Sequence, residues 1–103
     1  MNASSPIKRL QRLLTTGNLW LYILSLIKSE KKLYAYSLDA QIEERFSFKP
    51  NKIMVYVVLY RLENEGLICS EFDKRRKYYT LSPKGTETLG FAQEYFRMLA
   101  KRL

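Results

Sequence analysis

Apolar residues recur along this chain at intervals of three and four, which is the spacing of one face of an α-helix. The pattern predicts five helices, at about residues 5–16, 18–29, 35–46, 50–65 and 83–102. Serine-proline pairs at 5–6 and 82–83 are typical helix starts, because serine caps the amino end and proline fits the first turn. Residues 30–33 are expected to form a polar connection.

The segment between the fourth and fifth helices changes to residues that favour strands. Residues 67–72 and 77–81 are predicted strands, and residues 73–76 are their connection. Gly66 is expected to end the preceding helix, because a left-handed conformation costs glycine nothing. A helix that leads into such a hairpin predicts a winged helix-turn-helix, in which the hairpin is the wing.

These elements predict a fold that is mainly α with a small β-hairpin, arranged as a single domain over residues 1–103. The winged-helix core would cover about 18–81, with an added N-terminal helix at about 5–16. The helix at about 83–102 is assigned to dimerisation, because its apolar stripe exceeds what so small a core can cover.

The composition excludes several classes of protein. The 103 residues include no histidine and a single cysteine, Cys69, so an intrachain disulfide, the usual zinc sites and histidine-dependent nucleophile pairs are excluded. Cys69 is expected to be a buried or half-buried strand residue. The sequence also contains no glycine-rich loop that would cradle a phosphate and no pair of carboxylates in a recognisable catalytic motif. We therefore predict that the protein is not an enzyme and binds no cofactor or metal.

Hydropathy bears on the location of the protein. No apolar run reaches the roughly 18–20 residues that span a bilayer. The N-terminus also lacks the small-residue cleavage site of a signal peptide. The expected location is cytoplasmic, with no membrane partner.

The charge is strongly basic and unevenly distributed. Eighteen Lys and Arg residues face ten Asp and Glu residues, a formal net charge of +8. The first twenty residues carry Lys8, Arg9 and Arg12 without an acid, and residues 74–77 are all basic. Clusters of this kind favour a polyanion such as double-stranded DNA. A solvated basic surface is the alternative for charge alone.

The fourth predicted helix has the pattern of a DNA-reading helix. Val55, Val58, Leu59 and Leu62 fall within one arc and form its core stripe. The candidate contacts with bases or phosphates lie on the opposite arc or at the amino end, and they are Lys49, Asn51, Lys52, Ile53, Tyr56, Val57, Tyr60 and Arg61. The alternative places Tyr56 and Tyr60 in the core.

The tip of the predicted hairpin adds a second candidate DNA contact. Its four cations, Lys74, Arg75, Arg76 and Lys77, are placed where a wing meets a minor groove or its phosphates. The alternative is a charged edge that protects the hairpin from aggregation.

Four segments together resemble the PadR-like family of winged-helix transcriptional regulators, over about residues 17–90. They are Gly-Asn-Leu-x-x-x-Ile-Leu-x-Leu-Ile at 17–27, Tyr-Ala-Tyr-Ser-Leu at 34–38, Tyr-x-x-Leu-x-Arg-Leu-Glu-x-Glu-Gly-Leu-Ile at 56–68 and Arg-Lys-Tyr-Tyr-Thr-Leu-Ser-x-x-Gly at 76–85. The single last helix resembles the small branch of the family. Two departures are Ala35, where the family usually has glycine, and Ile-Met-Val at 53–55, where it often has Gly-Thr-Leu.

The resemblance implies a homodimeric repressor in which Tyr56 approaches the DNA backbone and Arg61 is a basic position near it. We expect the dimer interface to involve Leu19, Trp20, Ile23, Leu89, Phe91, Ala92, Tyr95, Phe96 and Leu99. The resemblance also suggests a pocket for a small aromatic effector between the subunits. Its lining would be Trp20, Tyr22, Tyr95 and Phe96, although these residues fit a dimer core better.

Two functions therefore follow from the sequence. The first is a dimeric, sequence-specific DNA-binding transcriptional repressor that reads the major groove with the helix at 50–65 and contacts backbone or minor groove with the wing at 73–77. The alternative is a winged helix used as a protein-interaction or assembly module, which the apolar outer face of the fourth helix favours.

Overall fold

The computed structural model describes residues 4–103, and it is mainly helical with a three-stranded antiparallel sheet. The helices are α1 (Ser5–Leu14), α2 (Leu19–Glu30), α3 (Leu38–Phe46), α4 (Lys52–Asn64) and α5 (Pro83–Arg102). The strands are β1 (Leu33–Tyr34), β2 (Ile68–Asp73) and β3 (Arg76–Leu81). Short 3₁₀ turns occupy Thr16–Asn18 and Ala35–Ser37. The predicted fold class, a mainly α winged helix with a hairpin, is confirmed.

The sheet contains one strand more than the predicted hairpin. Its order is β1-β3-β2, and β1 pairs with β3 through Leu33 opposite Tyr79 and Tyr34 opposite Tyr78. The expectation of a polar connection at 30–33 was therefore wrong at Leu33, which is buried in the core. A strand of two residues is too short to show alternation, and its partner lies far away in the sequence.

The core is built around α2. Its largest fully buried side chains come from α2, α3, α4 and β2, and they are Ile23, Leu24, Ile27, Leu38, Ile42, Val55, Leu59 and Ile68. Helix α2 contacts α3, α4, α5, β1 and β3, so it is the element on which the others pack. None of the helices in residues 4–103 combines the length and apolarity needed to cross a membrane.

Two glycines fix the junctions around the hairpin. Gly66 has a φ of 78° and ends α4, as predicted. A Cβ atom on Gly85 would lie 2.0 Å from the carbonyl oxygen of Leu67, so the start of α5 approaches the start of β2 too closely for any side chain. Ser82 locks this approach, because its hydroxyl donates to the Gly66 carbonyl (2.7 Å) and accepts from the Gly85 N–H (3.0 Å).

The expected burial of Cys69 was wrong. Its neighbour in β2, Ile68, points into the core, and side chains alternate along a strand, so Cys69 points outward and is exposed. Both faces of a short strand next to a small core cannot be covered.

Candidate nucleic-acid interface

Helix α4 begins with a side-chain cap that uses one of the predicted DNA contacts. The Oδ1 atom of Asn51 accepts hydrogen bonds from the backbone N–H groups of Ile53 (2.8 Å) and Met54 (3.2 Å). Asparagine reads adenine by accepting through Oδ1 while donating through Nδ2. Because Oδ1 is already occupied by the cap, the structure supports Asn51 as an N-cap and leaves only its Nδ2 group for another partner.

The outer face of α4 is exposed and largely apolar. Ile53 is 74% exposed, Tyr60 72% and Tyr56 44%, so neither tyrosine belongs to the core. Val57 and Val58 are half-buried, while Val55, Leu59 and Leu62 are buried, as the core stripe predicted. Lys49 and Lys52 are exposed at the amino end.

The two flanks of α4 differ. Tyr56 lies on the flank that faces the wing, where it lines a cleft with residues of β3. Arg61 lies on the other flank and lines a cleft of about 470 Å³ together with Trp20, Met54 and Val58. The structure therefore does not place Arg61 beside Tyr56, although both are exposed around the same helix.

The wing ends in a two-residue turn. Asp73 pairs with Arg76 as the last rung of the β2–β3 ladder, and Lys74 and Arg75 form the turn between them. Lys74 has a φ of 61°, a left-handed conformation that such turns require and that favours glycine. Both turn residues are exposed, so two cations project from the tip.

A polar and aromatic cluster ties the wing to β1. The Tyr34 hydroxyl donates to Oδ2 of Asp73 (3.1 Å), and the Lys32 ammonium lies 3.5 Å from the same oxygen. That ammonium also sits 4.2 Å from the centre of the Tyr78 ring. The guanidinium of Arg76 lies 4.6 Å from the centre of the Tyr34 ring. We call these five residues, Lys32, Tyr34, Asp73, Arg76 and Tyr78, the wing brace.

The pKa values of the wing brace reflect these contacts. The hydrogen bond from Tyr34, and then the charge of Lys32, hold the pKa of Asp73 below its ordinary value. For Lys32, burial acts to lower the pKa, but the electrostatic interactions with Tyr34 and Asp73 outweigh it and raise the pKa. The hydrogen bond to Glu71 raises the pKa of Tyr78. Asp73 and Lys32 are therefore each held in the charged form.

A cleft of about 340 Å³ separates the wing from α4. Three cations and three tyrosines line it together with one alanine, and they are Arg75, Arg76, Lys77, Tyr36, Tyr56, Tyr79 and Ala35. Burial raises the pKa of Tyr79, which forms the floor of the cleft. The Lys77 ammonium lies 3.8 Å from Oε1 of Glu63. The other carboxylate oxygen of Glu63 accepts a hydrogen bond from the Ser70 hydroxyl. Lys77 is thus partly neutralised, whereas Arg75 projects freely.

The residues expected at a dimer interface divide into two groups. Leu19, Ile23 and Leu89 are buried in the core of one chain, so they have almost no surface left for a partner. Phe91 (67% exposed), Tyr95 (56% exposed), Phe96 and Leu99 are uncovered, while Trp20 and Ala92 are half-buried. All but Leu99 of the second group line one groove between α2 and α5.

The four aromatic residues considered for an effector are not all together. Trp20, Tyr95 and Phe96 line the groove between α2 and α5. Tyr22 packs edge-on against Phe46 at 4.8 Å and donates to the Leu14 carbonyl (2.6 Å), with its pKa raised by burial. Phe96 also borders this second site, but Tyr22 does not enter the groove.

Sequence reasoning missed the contribution of β1 and the turn after it. Lys32, Tyr34 and Tyr36 were not among the candidate site residues, although Tyr34 and Tyr36 fall within one of the four resembling segments. No spacing rule connects them with the wing, because the connection is made by strand pairing. The tyrosines themselves were the only available signal.

Helix α4, the hairpin that follows it and the helices that pack behind them define a winged-helix protein with its charged wing beside an exposed helix. Comparison with known proteins gives the family. The model of the transcriptional regulator PadR-like family matches residues 23–90. The chain therefore belongs to the PadR-like family, whose members are DNA-binding transcription regulators and not enzymes.

Solved structures agree with this assignment. A PadR family transcription regulator from hypervirulent Clostridium difficile is 28% identical, with a TM-score of 0.75 over 82% of this chain and 93% of that chain. A PadR-like transcriptional regulator from Bacillus cereus is 28% identical, with a TM-score of 0.73 over 89% and 91%. A winged-helix DNA-binding protein from STIV, at 19% identity and a TM-score of 0.70 over 81% and 90%, shares the fold. No curated protein sequence matches the chain significantly.

Proposed function

We propose that this protein is a homodimeric, sequence-specific transcriptional repressor that inserts α4 into the major groove and sets its wing against the adjacent backbone or minor groove. The observation that carries the proposal is the juxtaposition of an exposed helix and a cationic hairpin across one cleft. A helix in the groove and a wing on the phosphates contact DNA at two places, which fixes the register of the protein.

The cations of this surface suit phosphate oxygens. Among residues 4–103, Lys49, Lys52, Lys74 and Arg75 form no ion pair, so their charge is available to a polyanion. Each phosphate neutralised releases counterions and adds roughly 0.9 to the slope of log affinity against log salt concentration. Binding is therefore expected to be strongly salt-dependent.

The dimer is supported by apolar surface that one chain leaves uncovered. Phe91, Tyr95 and Leu99 form an exposed line along α5, and α1 has no buried residue although Ile7 and Leu10 lie on its surface. A second copy of the chain would cover both surfaces. Two subunits would then place two α4 helices about 34 Å apart, over a near-palindromic site. We assign the groove between α2 and α5 to the partner subunit and not to an aromatic effector.

The repressor role rests on the family resemblance. Its physical basis would be that a protein bound within a promoter blocks the access of polymerase. The second candidate function, a protein-interaction module, is favoured by one observation. Ile53 and Tyr60 are among the most exposed large side chains of the chain, and both lie on the outer face of α4. A DNA-reading helix with an apolar outer face relies on thymine methyl groups and backbone contacts.

The proposal is tested by titrating random duplex DNA at several salt concentrations, together with sizing of the free protein. We expect a dimer whose affinity falls steeply with salt. Substituting Arg75→Ala with Arg76→Ala is expected to reduce affinity by about tenfold or more per subunit and the salt slope by roughly 1 for each phosphate contact removed.

Lys101→Ala with Arg102→Ala is the matched control, because it removes the same charge at the carboxyl end of α5, where both residues are exposed. Equal behaviour of the two double variants would show that the wing is not a DNA contact. An absence of duplex binding by the unmodified protein at low salt would favour the interaction module.

A further inference from the structure

Arg76 is held in place by aromatic side chains, unlike Lys74 and Arg75 in the turn of the wing. Its guanidinium stacks on the Tyr34 ring at 4.6 Å, and its Nη1 atom donates to the Tyr36 hydroxyl oxygen at 3.2 Å. Neither Lys74 nor Arg75 makes a side-chain hydrogen bond or an ion pair within residues 4–103. One arginine of the wing is therefore fixed by aromatic side chains, and its neighbour in the chain is not.

The residues that hold Arg76 are themselves fixed. Tyr34 is part of β1, paired with Tyr78, and its hydroxyl is bonded to Asp73 on the opposite side of the wing turn. Tyr36 follows in the 3₁₀ turn Ala35–Ser37, with its ring 6.1 Å from that of Tyr34. The segment from β1 into α3 thus forms a platform under the wing.

The fixed guanidinium borders the cleft between the wing and α4. Arg75, Arg76 and Lys77 enter the cleft from the wing, and the hydroxyl-bearing side chains of Tyr36 and Tyr56 face it from the other sides. The group that this arrangement suits is an anion that accepts several hydrogen bonds, as a phosphodiester does. Because Glu63 partly neutralises Lys77, most of the available positive charge comes from the two arginines.

We propose that this cleft binds a single backbone phosphate of DNA and that Tyr36 and Tyr34 are positioning residues that hold the Arg76 guanidinium ready for it. Tyr36 occupies one Nη1 proton, and the remaining N–H donors of the planar group are available for a phosphate. An arginine that is already ordered loses less rotamer freedom on binding than a free one. The inference rests on the proposed DNA-binding function and adds a third contributing segment, β1 and its following turn, to α4 and the wing.

Conservative substitutions at the two neighbouring arginines separate a fixed cation from a free one. Arg76→Lys keeps the charge but loses the planar group that stacks and donates, so affinity for duplex DNA is expected to fall about 3- to 10-fold. The salt slope is expected to stay unchanged, because the phosphate is still neutralised. Arg75→Lys is the matched comparison in the same turn, and its affinity is expected to fall less than that of Arg76→Lys, because a cation that no aromatic side chain holds contributes mainly its charge.

A double-mutant cycle shows whether Tyr36 acts through Arg76. Tyr36→Phe keeps an exposed ring and removes only the hydroxyl, so the fold is retained, and affinity is expected to fall about 3-fold with no change in salt slope. In an Arg76→Ala background the same substitution is expected to have little further effect. Tyr60→Phe is the control substitution. Tyr60 does not hold Arg76, so the affinity lost in Tyr60→Phe should add to the affinity lost in Arg76→Ala.

The outcomes distinguish this inference from the proposed function. If the unmodified protein binds duplex DNA but Arg76→Lys and Arg75→Lys behave alike, or Tyr36→Phe and Arg76→Ala are additive, the positioning role is wrong and the DNA-binding proposal remains. If the unmodified protein does not bind duplex DNA at low salt, the proposed function fails and this inference fails with it.

Discussion

Two surfaces of this chain are left uncovered by its own core, and their chemistry is opposite. At one end the wing and α4 expose cations and tyrosine hydroxyls around a cleft. On the other surface α5 exposes a line of large apolar side chains, with Phe91 and Tyr95 the most accessible. Helix α1 adds further exposed leucines and buries none of its residues.

Only the apolar surface would gain stability from being covered. Charged groups exposed to water keep their hydration, so the cations of the wing do not need to be covered. Apolar surface in water costs about 25 cal/mol per Å², so covering the α5 line stabilises the protein. The wing is also braced internally through Asp73 and Tyr34, whereas α1 is held mainly at its carboxyl end, where Tyr22 bonds to Leu14. One surface is available to a ligand, and the other is the one that a second subunit would cover in the proposed dimer.

The largest expected effect comes from placing charges on the apolar surface. Phe91→Asp with Tyr95→Asp is expected to raise the dimer dissociation constant by about 10,000-fold or more, because each of the two subunits would bury two carboxylates, and each of these four would cost over about 1.4 kcal/mol, or roughly tenfold. Operator affinity is expected to fall as well, since the second half-site is no longer bound by a linked subunit. Sedimentation and duplex titration measure the two effects.

The control for this variant is Arg97→Gln with Lys101→Gln, which makes the same change in net charge at two exposed residues on the side of α5 away from Phe91, Tyr95 and Phe96, at about 100° per residue along the helix. A dimer that persists in the Phe91 and Tyr95 variant, or dissociates equally in the control, would mean that the exposed line on α5 is not the interface. The exposure of large apolar side chains on α5 would then need another explanation.

Sequence reasoning predicted the long elements of the fold because each shows its own periodicity. The five helices and the hairpin follow from apolar spacing, serine-proline pairs and Gly66. It could not find β1, whose two residues show no period and which exists only because β3 is beside it. It also placed Cys69 inward, because a single strand pattern does not show which of its faces the core covers.

Within the candidate site, the sequence likewise predicted the features that follow from periodicity and missed those that depend on contacts between elements. The exposure of Tyr56, Tyr60 and the wing cations follows from the helical stripe and the hairpin tip. The capping role of Asn51 and the platform under Arg76 depend on contacts that spacing does not encode. In a helix that is apolar nearly all round, such as α2, nothing in the sequence separates residues for the core from residues for a partner. Ile23 was therefore assigned to the wrong surface.

A smaller effect is expected from the strained residue at the tip of the wing. Lys74→Gly relieves the left-handed conformation and is expected to stabilise the protein by about 0.5–1 kcal/mol in urea unfolding. It also removes one cation, so duplex affinity is expected to fall about 2- to 5-fold. Stability and affinity would move in opposite directions at this end of the molecule.

Arg75→Gly is the matched variant, because it removes one cation from the same turn at a residue whose φ is not positive. It is expected to lower stability by about 0.5–1 kcal/mol while weakening DNA binding to a similar extent. If both variants changed stability in the same direction, strain at Lys74 would not be the cause. If neither weakened binding, the tip would not contribute charge to the DNA contact.

The smallest expected effect is that of pH, which also distinguishes the two surfaces. The chain has no histidine, and the pKa of Asp73 is lowered by its hydrogen bond from Tyr34 and by Lys32. Asp73 therefore contributes stability that is present above its ordinary pKa of about 3.9 and is lost as pH falls through its lower folded value.

Between about pH 5.5 and 7, duplex affinity is expected to change less than about twofold. As pH falls through the lowered pKa of Asp73, backbone amide signals of the wing are expected to shift more in the unmodified protein than in an Asp73→Asn variant, while those of α5 respond alike in both proteins, because only the wing loses the ion pair between Asp73 and Lys32. A transition near pH 6 in the unmodified protein, or an equal acid response in an Asp73→Asn variant, would show that the wing brace does not depend on this carboxylate.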